Sequence, residues 1–122
     1  MIAHTTLHIS DYPKAKAFYQ AVLAELGYEN NMEYGESAGF NDGENTDFWI
    51  SKNAAVVPTH LAFVARSRQQ VQAFHTVALA AGATDHGQPG YRDYSPGYFA
   101  AFVLDPDGHN IEAVWYDPAK EE

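Results

Sequence analysis

The feature that most constrains the fold of this chain is an internal repeat. When His4 is aligned with His60, an offset of 56 residues, both segments read as a short strand, an amphipathic helix and a glycine. The identical pairs that then coincide are Ala17-Phe18 with Ala73-Phe74 and Leu23-Ala24 with Leu79-Ala80. At 122 residues the chain suits one domain with a single core. The repeat therefore predicts one domain, 1–122, built from two related modules at about 1–55 and 56–118.

Each module is predicted to contain one strand, one helix and then further strands, which is an α+β arrangement. Apolar residues recur at spacings of three and four before Gly27 and again before Gly82, as on one face of a helix. The predicted strands are Ile2 to Ile9, Tyr28 to Tyr34, Ser37 to Asn41, Asp47 to Ser51, Thr59 to Ala65, Tyr98 to Leu104 and Asn110 to Tyr116. The segment Thr84 to Pro96 is rich in Gly, Pro, Asp and Tyr, which predicts a loop with at most a short strand.

Glu112 is the residue that most suggests chemistry. It is a lone carboxylate in the sequence Ile-Glu-Ala-Val-Trp, where an unpaired buried charge would cost several kcal/mol. The turn Asp105-Pro106-Asp107-Gly108 precedes its strand and fixes its register. Two imidazoles at equivalent positions of the repeat, His4 and His60, offer such a carboxylate a shared cation.

Two interpretations of these three residues stay open from spacing alone. Two imidazoles and one carboxylate leave open coordination positions on Zn²⁺, Fe²⁺ or Mn²⁺. Alternatively, His4 caps a strand end, His60 is a satisfied core histidine and Glu112 faces solvent on an edge strand.

Composition excludes several classes of function. Sixteen acidic and seven basic residues give a formal charge of −9, and only Arg66 and Arg68 cluster, so neither nucleic acid nor an anionic membrane is an expected partner. The absence of cysteine excludes thiolate catalysis and disulfides. No apolar run approaches the roughly 20 residues of a membrane span, and no secretory signal is evident, so we expect a cytoplasmic protein.

Three motifs make the sequence resemble the vicinal oxygen chelate superfamily, which contains glyoxalase I, bleomycin-resistance proteins, fosfomycin-resistance enzymes and extradiol dioxygenases. They are His-Thr-Thr-Leu-His-Ile-Ser-Asp from His4 with Ala-Phe-Tyr at 17–19, Thr-His-Leu-Ala-Phe at 59–63, and Leu-Asp-Pro-Asp-Gly-His-Asn-Ile-Glu at 104–112. The resemblance covers essentially the whole chain. It implies two βαβββ modules forming a curved mixed sheet around a ligand cup, with the helices on its outer face.

The resemblance also implies a site. The metal ligands carried over by motif are His4, His60 and Glu112, and the cofactor is a divalent ion such as zinc, manganese, iron or nickel. It implies a homodimer in which His4 can come from the neighbouring subunit, and a small organic molecule as ligand. The candidate catalytic residues are Glu112 and Tyr98, the latter as a phenol. The candidate substrate-binding residues are Phe48, Trp49, Arg92, Tyr94 and Phe102, about half of which strand alternation should turn toward the helices.

The sequence departs from each known activity of the superfamily. Glyoxalase I usually adds a glutamate on the last strand of its first module, and Thr46 to Ser51 contains none. Fosfomycin-modifying enzymes need several cationic groups, and Arg92 is the only candidate. Extradiol dioxygenases use the same ligand set with a histidine and a tyrosine nearby, for which Tyr91, Tyr94, Tyr98, His8 and His86 are candidates, but most are longer.

Two functions therefore remain. The first is a metal-dependent enzyme, of lyase or dioxygenase type, that acts on a small oxygenated organic substrate. The second is a metal-free protein that binds a planar or aromatic compound, as in the bleomycin-resistance branch; the aromatic content and the acidic charge favour this alternative.

Overall fold

Each half of the chain forms a four-stranded mixed sheet with one helix after its first strand. A computed structural model describes residues 1–120. In chain order the elements are β1 (Thr5–Ile9), α1 (Tyr12–Ala24), β2 (Glu29–Tyr34), β3 (Ser37–Asn41), β4 (Thr46–Lys52), β5 (His60–Val64), α2 (Arg68–Ala80), β6 (Thr84–Tyr91), β7 (Tyr98–Leu104), β8 (Asn110–Tyr116) and a 3₁₀ turn (Pro118–Lys120). The two sheets, called here the N-terminal and C-terminal sheets, have the strand orders β1-β4-β3-β2 and β5-β8-β7-β6. The predicted α+β fold of two βαβββ modules is confirmed.

The two helices follow the repeat residue for residue. They occupy Tyr12–Ala24 and Arg68–Ala80, so the offset of 56 holds at both ends. The side chains of Asp11 and Ser67 cap them by accepting bonds from the backbone N–H of the residue three positions on. Neither helix in residues 1–120 is long and apolar enough to cross a membrane.

Two predictions about strands differ from the structure by more than one residue at an end. The first strand begins at Thr5 rather than Ile2, because the pairing of β1 with β4 starts at the Thr5–Phe48 pair. The segment predicted as mainly loop holds the eight-residue strand β6. Its pairing with β7 is shifted at Gly87, and its outer position in the sheet tolerates Pro89.

One core joins the two modules. The Phe48 ring of β4 packs edge-on against the Phe63 ring of β5, with centroids 5.2 Å apart, and both helices bury their apolar faces in the same cluster. A smaller cluster, which contains Ala100, Phe102 and Val114, lies on the opposite face of the C-terminal sheet. That opposite face, in both sheets, is called here the cup face.

The turn before β8 holds the modules together. His109 is fully buried; its Nδ1 accepts a bond from the Thr59 N–H (2.9 Å), so its Nε2–H donates to the carbonyl of His8 on β1 (2.8 Å). The Tyr19 hydroxyl of α1 donates to the buried carboxylate of Asp105. The turn that sets the register of Glu112 is thereby anchored to the first module.

Candidate metal and ligand site

The cup face of the C-terminal sheet carries the polar cluster that strand alternation predicted. His60 on β5, Glu112 on β8 and Tyr98 on β7 share this face because the Ala62–Glu112 and Phe102–Glu112 pairs align the three strands. The intervening residues Leu61, Ile111 and Phe99 face the helices.

Glu112 is buried, with 1% of its surface exposed, and both carboxylate oxygens have partners. Oε1 lies 2.9 Å from Nε2 of His60, and Oε2 accepts a bond from the Tyr98 hydroxyl. Burial raises the pKa of Tyr98 above its ordinary value, and the bond to Glu112 raises it further, so this phenol stays protonated at neutral pH. The carboxylate is thus held at a fixed place between an imidazole and a phenol.

Aromatic and cationic groups flank this cluster. The His60 ring lies 6.2 Å from the ring of Phe102, and the Arg92 guanidinium carbon lies 5.4 Å from the centroid of that same ring. Tyr94 packs edge-on against Tyr98, with centroids 5.0 Å apart, and is 67% exposed. Three of the five predicted substrate-binding residues, Arg92, Tyr94 and Phe102, therefore lie around this cluster.

The cup face of the N-terminal sheet carries His4 and Trp49. Together with Thr6, Tyr34, Ser37 and Ser51 they line a shallow hollow of about 310 Å³. The Trp49 indole stacks on the Tyr34 ring (6.0 Å between centroids) and lies over Gly39, where a Cβ would stand 2.8 Å from the indole. Tyr34 was not among the predicted site residues. The turn at Gly35 and Glu36, between two predicted strands, could have indicated it, because that turn sets Tyr34 opposite Ser37.

One chain does not bring all three predicted ligands together. In residues 1–120 no group of three His, Cys, Asp or Glu side chains lies close enough to hold a metal ion. The structure thus joins His60 to Glu112 and leaves His4 on the other sheet, just before β1.

Phe48 does not lie on a cup face. It is 1% exposed, packs against Tyr19 and Phe63, and belongs to the helix-facing core. Strand alternation is the reason, because Phe48 and Trp49 are neighbours on β4 and must face opposite ways. The prediction that Phe48 contacts a ligand in the cup is therefore corrected.

The position of a fourth metal ligand can be read from the strand registers. Thr6 pairs with Trp49 in the first module, and Ala62 pairs with Glu112 in the second. Since Thr6 and Ala62 are equivalent in the repeat, Trp49 is the counterpart of Glu112. An indole has no metal-ligating atom, so the first module supplies no carboxylate at this position.

The C-terminal cluster fits a divalent metal in its chemistry. A carboxylate and an imidazole, 2.9 Å apart, are ligands that zinc, manganese and iron accept. Asn110, the cross-strand neighbour of His60, has a buried Oδ1 without a hydrogen-bond partner in residues 1–120. Two ligands from one chain do not by themselves complete a metal site.

A second hollow of about 500 Å³ lies at the junction of the modules. It is lined by residues of β4 and β5 together with Tyr28, Asp47 and Arg66, and contains neither His60 nor Glu112. The Tyr28 hydroxyl donates to Oδ2 of Asp47 (3.4 Å), and burial raises the pKa of Tyr28. We assign no ligand to this hollow.

The two βαβββ modules and the pairing of β5, β8 and β7 define a class of protein: a two-module α+β domain with a His-Glu-Tyr cluster on the cup face of one sheet. The model of the Glyoxalase/Bleomycin resistance protein/Dioxygenase superfamily matches residues 1–113. The chain therefore belongs to this superfamily.

Solved structures with the same fold carry several names. A glyoxalase/bleomycin resistance protein from Albidiferax ferrireducens is 28% identical, with a TM-score of 0.81 over 93% of this chain and 96% of the other. A lactoylglutathione lyase from Agrobacterium tumefaciens is 20% identical, with a TM-score of 0.69 over 94% and 92%. A fosfomycin resistance protein from Listeria monocytogenes is 18% identical, with a TM-score of 0.74 over 100% and 98%. No match was found among curated proteins.

Proposed function

We propose that this protein is a divalent-metal-dependent enzyme, of lyase or dioxygenase type, that acts on a small oxygenated organic molecule. The observation that carries the proposal is the buried Glu112 carboxylate, which lies 2.9 Å from Nε2 of His60 on a face free of helices. The ion would be held by His60, Glu112 and His4.

His4 would come from a second copy of the chain. In one chain it lies on the N-terminal cup face, apart from His60 and Glu112. A homodimer that places the N-terminal cup face of one subunit against the C-terminal cup face of the other supplies the third ligand twice, once at each site. It also brings Trp49 to the same cup as Tyr94 and Phe102.

The protein residues have distinct roles in this proposal. The ion supplies Lewis-acid stabilisation of negative charge that develops on substrate oxygens. The Tyr98 phenol is protonated at neutral pH and bonded to Glu112. It can donate a hydrogen bond or a proton to a substrate oxygen, or accept a hydrogen bond from a substrate hydroxyl. The aromatic rings of Trp49, Tyr94 and Phe102 would exclude water and contact the carbon skeleton.

Neither of the two activities named for the relatives fits this chain fully. A lactoylglutathione lyase reaction of the glyoxalase I kind lacks its additional glutamate, because Trp49 stands at that position. A fosfomycin-modifying reaction lacks a cluster of cations at the site, because in the described residues Arg92 is the one cation that lies over the Phe102 ring. We therefore propose the reaction class and not either named reaction.

Elemental analysis and equilibrium dialysis with Zn²⁺, Mn²⁺ and Fe²⁺ test this function. We expect close to one equivalent per chain in the wild type, and loss of most of it in His60→Ala and Glu112→Gln. Glu25→Gln is the matched control, since Glu25 lies at the C-terminal end of α1, on the helix side of the sheet. Less than about a tenth of an equivalent with any of the three ions would refute the proposal.

The second candidate is a metal-free binding protein. It is favoured by one observation: His60 and Tyr98 already pair both oxygens of Glu112 without an ion. This candidate predicts that a planar cationic dye binds the metal-free wild type and quenches tryptophan fluorescence, and that His60→Ala binds it equally well. Loss of dye binding in His60→Ala, with an unchanged circular dichroism spectrum, would contradict it.

A further inference from the structure

A single arginine lies at the edge of the cup beside the His60–Glu112 pair. Its guanidinium carbon lies 5.4 Å from the centroid of the Phe102 ring, and that centroid is 6.2 Å from the His60 ring. Phe102 is also the cross-strand partner of Glu112. The Phe102 ring thus lies between Arg92 and the proposed metal ligand His60.

The main chain of the β6–β7 region holds Arg92 in place. Its backbone N–H donates to the carbonyl of Tyr98 (2.8 Å), and its Nη1 and Nη2 donate to the carbonyls of Gly90 and Gln88 (2.8 Å each). The two acceptors of the guanidinium are neutral carbonyls, so these bonds do not neutralise its positive charge. In residues 1–120 no carboxylate lies within ion-pair distance of this guanidinium.

Two glycines make room for this arrangement. A Cβ at Gly90 would lie 3.1 Å from Nη1, and one at Gly87 would lie 3.2 Å from Nη2 and 2.9 Å from the Phe102 ring. Gly87 also has a φ of +153°, which side-chain-bearing residues rarely adopt. The close approach of this backbone to the guanidinium therefore requires glycine.

We infer that Arg92 binds a carboxylate of the substrate, so the substrate is a small organic acid whose other oxygens reach the His60–Glu112 site. The inference rests on the proposed function for the location of that site. Two of the five N–H donors of the guanidinium bind the main chain. The others stay available for a carboxylate, which a guanidinium binds through paired, charge-assisted bonds.

The surroundings of Arg92 favour one negative charge on a flat carbon skeleton. The loop after β6 forms an open hollow of about 600 Å³ that is lined by Arg92, Asp93, Tyr94 and Lys120, among others. These two cations and one carboxylate leave one positive charge, which matches one substrate carboxylate, and the Phe102 and Tyr98 rings offer flat apolar area beside Arg92. With a net charge of −9 the protein as a whole repels anions, so a locally held cation is needed to attract one.

A matched pair of probes isolates the carboxylate. 3,4-Dihydroxybenzoate and 3,4-dihydroxybenzamide share the ring and two adjacent hydroxyls and differ in one charge. Isothermal titration calorimetry on the zinc-loaded wild type should show about tenfold tighter binding of the acid. Arg92→Met should bind both probes alike, and Arg92→Lys should keep part of the preference because it retains the charge without the planar fork. Arg66→Met, which removes an exposed arginine, should keep the full preference.

Three outcomes would overturn the inference: equal affinities in the wild type, no binding of either probe by zinc-loaded protein, or an undiminished preference in Arg92→Met. The same titrations on metal-free protein separate this inference from the proposed function. If zinc is not taken up but the preference for the acid persists and depends on Arg92, the metal proposal fails and the carboxylate site stands. If zinc is bound and no preference exists, the carboxylate site fails alone.

Discussion

At the scale of single residues, Glu112 owes its position to groups on two other strands. A carboxylate with 1% exposure would be costly if it lacked hydrogen bonds, and His60 and Tyr98 each supply one. The same two contacts fix the carboxylate where a metal could reach it. Stability and ligand geometry are thus set by the same side chains.

Removal of the Tyr98 hydroxyl tests its share of that stability. Tyr98→Phe leaves Oε2 of Glu112 buried without its partner, so the metal-free protein should lose about 1–3 kcal/mol of unfolding free energy. Tyr116→Phe is the matched control, because it removes a hydroxyl from a half-exposed ring that packs against Tyr98. Chemical denaturation measures both, and equal losses in the two variants would contradict the assignment.

Because of Tyr19, we expect the unfolding free energy to depend on pH in the alkaline range. Burial, and then the neighbouring Asp105, raise the pKa of this fully buried phenol well above its ordinary value near 10. A group whose folded pKa is raised stabilises the fold below its unfolded pKa, and this contribution is lost as pH rises toward the folded pKa. We therefore expect the unfolding free energy to fall above about pH 10.

Tyr19→Phe should make that decline shallower, although it lowers stability at neutral pH by leaving Oδ2 of Asp105 without a donor. Denaturation between about pH 8 and 11 measures the slope. An identical slope in the variant would contradict the prediction, because it would mean that Tyr19 titrates alike in the folded and unfolded states.

At the scale of elements, the periodicity of the sequence predicted the helices and strands that have local signals, and it did not predict the strand that depends on pairing with a distant segment. Both helices were predicted because their apolar spacing and caps are local signals, and β7 and β8 were predicted with their observed bounds. Strand β6 was expected to be mainly loop, because its Gly and Pro content disfavours a strand. It forms through pairing with β7. At the Thr84–Leu104 pair the two partners are 20 residues apart along the chain, a distance that a local pattern does not cover.

The candidate site shows the same division. Alternation along β5 and β8 placed His60 and Glu112 on one face, and the structure joins them. For Phe48 a cup position was predicted from aromatic type, and alternation turned it to the core instead. The separation of His4 from the pair depends on how the two modules pack, which no spacing along the chain encodes.

His109 tests the joint between the modules. His109→Ala leaves the Thr59 N–H and the His8 carbonyl without their partner, and it creates a cavity at a fully buried position. We expect a loss of roughly 2–4 kcal/mol of unfolding free energy, measured by chemical denaturation. His86→Ala, which removes an exposed imidazole, should change stability by less than about 0.5 kcal/mol. Similar effects of the two substitutions would contradict this role.

At the scale of the whole molecule, the two modules depend on each other for their core. Phe48 of the first packs against Phe63 of the second, and Tyr28 packs against the same ring with centroids 5.5 Å apart. A polypeptide of residues 1–55 would expose this apolar surface, and at that length it has little core of its own. We expect it to show no cooperative thermal transition by circular dichroism, in contrast to the full chain. A cooperative transition in the fragment would show that the first module folds alone.

The central claim of the proposed function is a shared site, in which each metal ion would be held by His60 and Glu112 of one subunit and His4 of the other. Metal uptake by a mixture of two defective variants tests this claim most directly. His4→Ala and Glu112→Ala should each bind little zinc alone. After the two are unfolded and refolded together, half of the dimers are mixed, and each mixed dimer has one site with all three ligands. The account predicts recovery of about a quarter of the wild-type zinc per chain. If the refolded mixture binds no more zinc than the two variants separately, the shared site does not exist.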